Sequence, residues 1–161
     1  MNNKRIKSNY FVIPGVILLV LGLGRWLTMQ GIGWYHEDLL LPALTPPDWA
    51  FSLVWTIIGT LTAISLLIVW NKCTKNAYIW IIMGLFGANG TLNILWSYFF
   101  FYKKNTYAAF LDAQFIFLSI AFLIAFLWRC SRLAALLLVP YALWVLFALY
   151  LNYEVWLINE A

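Results

Sequence analysis

A chain of 161 residues that is 65% hydrophobic and only 10% charged is not a water-soluble domain, since soluble domains carry about 25% charged residues. At about 20 apolar residues per span, the length allows about five or six membrane crossings and short loops. The net charge of +4 comes from Lys and Arg clusters between apolar runs, which is the pattern of topology signals and not of a nucleic-acid-binding face.

The chain begins like a signal peptide, with Lys4, Arg5 and Lys7 before an apolar run. No small-x-small cleavage site follows, so the run reads as a retained first span over residues 10–29 that also directs insertion. Further apolar runs cover 49–70, 77–102, 106–128 and 133–158. Each is long enough to cross about 30 Å of hydrocarbon. Helix is the form expected, because lipid offers no partner to open backbone groups and the runs lack the short alternation of barrel strands. The fold class predicted is an all-α integral membrane protein, one domain with a bundle of five transmembrane helices.

Three connections are tight, whereas residues 30–48 form a long one. It carries Trp34, Tyr35, His36, Glu37, Asp38, Pro42, Pro46 and Pro47. Adjacent prolines stiffen the backbone and stop a helix. A long, stiff, aromatic connection is a candidate lid.

A cytoplasmic N-terminus puts Lys4, Arg5, Lys7, Lys72, Lys75, Arg129 and Arg132 inside and Lys103, Lys104 and Arg25 outside, seven against three. The positive-inside rule favours that orientation, with the long first loop and the C-terminus on the opposite side. Cys73 and Cys130 then lie on the reducing side and are expected as free thiols. They show no metal-ligand spacing, and no metal site is predicted.

Polar side chains at membrane depth usually face the bundle interior. In the third span Asn89, Asn93 and Trp96 share one face, and Gly84, Gly87 and Thr91 share the opposite one. The small face permits close helix contact, within the bundle or between protomers. The fifth span carries a stripe of Tyr141, Trp144, Ala148, Asn152 and Asn159. The second carries Ser52, Trp55, Thr56, Gly59 and Ala63. Rings beside small and amide residues suit a flat apolar ligand with a few polar atoms. Ten tryptophans exceed what interface anchoring needs; Trp26, Trp70, Trp128 and Trp156 lie near span ends as belt residues. Arg25 and Asp112 also lie near span ends, where snorkelling to the interface is expected, with a mutual salt bridge as the sharper alternative.

Conventional chemistries are poorly served. His36 is the sole histidine and falls in a loop, which excludes bis-histidine haem ligation within one chain and a Ser-His-Asp set inside the membrane. No phosphate-cradling glycine loop or chain of carboxylates appears.

These residues resemble the TspO/MBR family of tryptophan-rich sensory proteins and translocator proteins. The carriers are Trp34-Tyr35, Pro42, Pro46-Pro47, Trp49, Phe51 and Trp55; then Asn89, Asn93-Ile94-Leu95-Trp96-Ser97 and Phe99-Phe100; then Pro140-Tyr141-Ala142-Leu143-Trp144, Phe147-Ala148, Leu151-Asn152-Tyr153 and Trp156. The chain departs from the family pattern at Leu41, at Ile58-Gly59 and after Tyr153, where Glu154 precedes Val155 with no basic residue. The resemblance implies a five-helix bundle, often dimeric, whose first loop caps a cavity for porphyrins, haem-related tetrapyrroles or sterol-like molecules, with no other cofactor required. By position, Tyr35, Pro46, Pro47, Trp49, Trp55, Asn89, Asn93, Trp144, Ala148 and Asn152 would line it. Trp96 and Tyr141 join them from the stripes. The small face of Gly84, Gly87 and Thr91 would form the homodimer. Three functions remain open: a tetrapyrrole-binding sensor, a light-dependent porphyrin-degrading enzyme in which Trp55 and Trp144 take part, and a transporter.

Overall fold

The computed structural model describes residues 8–73 and 77–160. Lys4, Arg5, Lys7 and Lys75, on which part of the orientation argument rests, lie outside them. Five helical stretches are long and apolar enough to cross a membrane, and no strand occurs among the described residues. The surface confirms the solvent. Phe11, Leu18, Trp80, Phe115, Phe122 and Leu143 are all exposed, a distribution that lipid tolerates and water does not.

Helix α1 covers Asn9–Glu37, α2 Asp48–Lys72, α3 Ala77–Ser97, α4 Thr106–Cys130, α5 Arg132–Leu136 and α6 Val139–Glu160. After Ser97, α3 continues as a π-helical segment over Tyr98–Tyr102. The wider turn directs both Phe100 and Phe101 into the interior, where they are 4% and 8% exposed. Helix α4 packs between α3 and α6, and α1 packs across α2, α3 and the π segment.

Two boundaries differ from the sequence expectation. The first helix continues through Trp34 and Tyr35 to Glu37, so the connection spans only 38–47. No proline interrupts residues 30–37, and the extra turns are held from outside the helix. Tyr35 packs on Phe100 and Phe101, with ring centroids 6.3 and 5.8 Å away. Gly31 allows the approach: a Cβ there would lie 2.1 Å from the Phe101 carbonyl oxygen. The fifth span is broken into α5 and α6. Pro140 has no N–H to return to the Leu136 carbonyl, so the helical ladder lapses at residues 137–138.

Cys73 and Cys130 are joined by a disulfide, with Cα atoms 5.9 Å apart, a separation typical of such bridges. This corrects the expectation of two free thiols. The cysteines are 57 residues apart in sequence. They meet because α2 and α4 both end at one pole of the bundle, over the core formed by Val69, Leu127, Ala134 and Leu138.

Candidate functional site

The interior polar groups lie at the contacts of α3 with α4 and α6. Asn93 Nδ2 donates to the Tyr141 hydroxyl at 2.5 Å. Tyr141 donates to Asn89 Oδ1 at 3.1 Å, and Asn89 Nδ2 donates to Ser119 Oγ at 2.8 Å. Ser119 Oγ donates to the Ile116 carbonyl at 2.7 Å. One directed chain of donors thus runs from α3 to α6, back to α3 and on to α4. Inside lipid an unpaired amide or hydroxyl is costly, so this network fixes how three helices seat together. A second polar contact lies nearer the connection. Trp96 Nε1 donates to Asn152 Oδ1 at 3.0 Å, and Asn152 Nδ2 donates to the Ala148 carbonyl at 2.7 Å.

Two aromatic clusters flank these bonds. One, beneath the connection, contains Tyr35, Phe100, Phe101, Ala109 and Val155. The other contains Ile58, Ile116, Tyr141 and Val145, with Trp55 and Trp144 against it. Trp96 packs against both and stacks on Phe100 at 5.1 Å with planes 19° apart.

The seam between α2 and α6 is distinctive. Near its C-terminal end, α2 is fastened to α5 by Ser65 Oγ donating to the Ala134 carbonyl at 2.8 Å. The α2 and α6 backbones scarcely meet, and towards the N-terminal end of α2 rings bridge them. Phe51 meets Trp144 edge-on at 5.7 Å, and Trp55 meets Tyr141 edge-on at 6.0 Å. Trp55 and Trp144 remain half-buried. In each edge-on pair the edge of one ring meets the face of the other.

The connection sits over this end of the bundle. Asn159, near the end of α6, clasps Leu40 twice: Nδ2 donates to the Leu40 carbonyl at 3.0 Å, and Oδ1 accepts from the Leu40 N–H at 3.0 Å. The remaining Asn159 N–H goes to the Val155 carbonyl at 2.8 Å. His36 and Asp48 pair at 3.2 Å across the ends of the connection. Pro42 is buried, and Thr45 N–H returns to its carbonyl at 3.0 Å in a tight turn.

The structure therefore brings Asn89, Asn93, Trp96, Tyr141, Ala148 and Asn152 together, with Trp55 and Trp144 on the adjoining seam. Tyr35 belongs to the separate cluster under the connection. Pro46 is half-buried, Pro47 is exposed at the start of α2, and Trp49 is 68% exposed, away from the polar chain. Gly84, Gly87 and Thr91 form an open face. Arg25 is exposed, and Asp112 is only 6% exposed. Asp112 thus corrects the snorkelling expectation, and the two form no salt bridge. Helix period explains why: Asp112 shares the inward face of Ala109 and Ile116. Sequence reasoning missed Ser119 and the clasp of Asn159. Ser119 carries a hydroxyl within an apolar run, on the same face as Asp112, which was the available signal.

The sequence of residues 12–157 matches the model of the TspO/MBR family. The chain is 35% identical to the tryptophan-rich protein TspO of Chlorobaculum tepidum, over 98% of this chain and 99% of that protein. It is 32% identical to the protein of the same name from Archaeoglobus fulgidus, over 94% and 99%. With the human translocator protein the identity is 30%, over 84% of this chain and 80% of that one. Trp-rich seam, inward asparagines and full-length similarity agree, and the chain belongs to the TspO/MBR family.

Proposed function

We propose that this membrane protein is a receptor or sensor that binds tetrapyrroles, porphyrin or haem-related, between its helices beneath the first connection. The observation that carries this reading is the α2–α6 seam, where half-buried Trp55 and Trp144 take the place of backbone contact. A flat macrocycle entering there would stack on indole faces and meet polar atoms of α3 and α6 at its edge. Titrating the purified protein with protoporphyrin IX is expected to quench tryptophan fluorescence. Trp55→Ala and Trp144→Ala should each weaken binding about tenfold, the loss of one good ring contact plus its buried area. Unchanged affinity in both variants would defeat the assignment.

Light-dependent breakdown of the bound porphyrin is a second reading, favoured by the same two oxidisable indoles. Equal bleaching with and without protein in the light would remove it. For orientation, the Lys and Arg distribution supports a cytoplasmic N-terminus, with the connection 38–47 and the C-terminus on the other side, whereas the Cys73–Cys130 bridge weighs against it, because that orientation sets the bridge on the reducing side. For assembly, the open face of Gly84, Gly87 and Thr91 supports a homodimer through α3.

A further inference from the structure

Asp112 is a carboxyl group inside the hydrocarbon span of α4, 6% exposed, and its Oδ2 has no hydrogen-bond partner. The amides, hydroxyl and indole N–H of the polar chain, by contrast, have partners: Asn89, Asn93, Tyr141, Trp96 and Asn152 are all hydrogen-bonded. Among the described residues no Lys or Arg pairs with it. Its place follows from the helix register. Ala109, one turn earlier, belongs to the cluster beneath the connection. Ile116, one turn later, belongs to the cluster with Trp55 and Tyr141. Asp112 lies on that same face between them, at the level where Trp96 spans both clusters and meets Asn152.

An intramembrane carboxyl without a partner is expensive, and such residues mark functional sites. An ionised carboxylate only accepts, and among the described residues no donor faces Asp112 Oδ2. We infer that Asp112 is a ligand-binding residue, taking an outward-facing N–H or ammonium group of a molecule held between the two aromatic clusters. The inference rests on the tetrapyrrole reading above and narrows it. The N–H groups of a closed porphyrin point into the centre of its own ring. An open-chain tetrapyrrole is free to rotate about its bridges, and in an extended conformation it turns pyrrole and lactam N–H groups outward, where a side carboxyl reaches them. The site therefore favours open-chain over closed tetrapyrroles in its polar recognition, while the rings serve both.

The test uses the full chain in lipid nanodiscs, titrated separately with biliverdin and protoporphyrin IX. Asp112→Leu removes the acceptor. Asp112→Asn keeps the shape and one acceptor oxygen without the charge, and it keeps the test open if the leucine variant fails to fold. Circular dichroism and thermal melting establish that each variant is folded. Loss of a charge-assisted hydrogen bond should weaken biliverdin binding about tenfold or more in Asp112→Leu and less in Asp112→Asn, while protoporphyrin IX affinity stays within about twofold. Equal biliverdin affinity in the wild type and both variants would overturn the inference and mark a carboxyl satisfied by water. Equal loss of both ligands would overturn it too, as a structural role. Binding of protoporphyrin IX but not biliverdin by the wild type would sink this inference alone. Binding of neither would sink the proposed function, and this inference with it.

Discussion

Replacing Asn159 by alanine should loosen the connection over the bundle and leave the bundle itself intact. The side chain makes two 3.0 Å bonds to the Leu40 backbone, and both are open to water. Each is therefore placed at the lower end of the ~0.5–1.5 kcal/mol net value of a hydrogen bond, giving about 1–2 kcal/mol for the clasp. At ~1.4 kcal/mol per tenfold, the population in which Leu40 is released rises about 5–30-fold. The companion contact, His36 with Asp48 at 3.2 Å, is exposed and adds at most ~1 kcal/mol, so it cannot hold the segment by itself. Amide hydrogen exchange read at Leu40 is the direct assay, since its rate follows the open population. Asn159→Asp separates the two bonds. It keeps an acceptor for the Leu40 N–H, but sets a carboxylate oxygen against the Leu40 carbonyl, so exchange should be at least as fast as in the alanine variant. Amides at Ile120 and Leu123, which are fully buried, should not change. Unaltered exchange at Leu40 in both variants would refute the clasp. Acceleration throughout the chain would show that Asn159 stabilises the bundle instead.

Gly31→Ala places a methyl group 2.1 Å from a backbone oxygen of the π segment; since backbone cannot swing aside, α1 must shift, and a loss of about 2 kcal/mol or more is expected as a lower melting temperature of the purified protein. Cys73→Ser should make the protein easier to unfold. Closing a loop of 57 residues is worth ~4 kcal/mol for a free chain and less where the spans stay inserted. A thiol-reactive tag should label Cys130 in the variant and neither cysteine in the unreduced parent; labelling of both in the unreduced parent would refute the pairing.

The length and composition of the apolar runs were enough to define the five spans, because the thickness of hydrocarbon sets how long a helix must be. The stripes were legible for a similar reason: a helix repeats every 3.6 residues, so Asn89, Asn93 and Trp96 share a face in any fold. Pairing is not written in that period. Asn89 reaches Ser119 and Tyr141, and Asn152 reaches Trp96, only because α4 and α6 pack where they do against α3. The end of α1 at Glu37 depended on Phe100 and Phe101, some 65 residues away in sequence, coming to rest beneath Tyr35.

Local sequence thus determined the solvent, the number of spans, the inward faces and the stiff connection above them. These follow from hydrophobicity, helical period and proline geometry, all of which act within a few turns. The tertiary structure alone decided the Cys73–Cys130 bridge, the clasp of Asn159 on Leu40 and the burial of Asp112. Each depends on the distance between helices far apart in the chain, and helix packing rather than any local preference sets that distance.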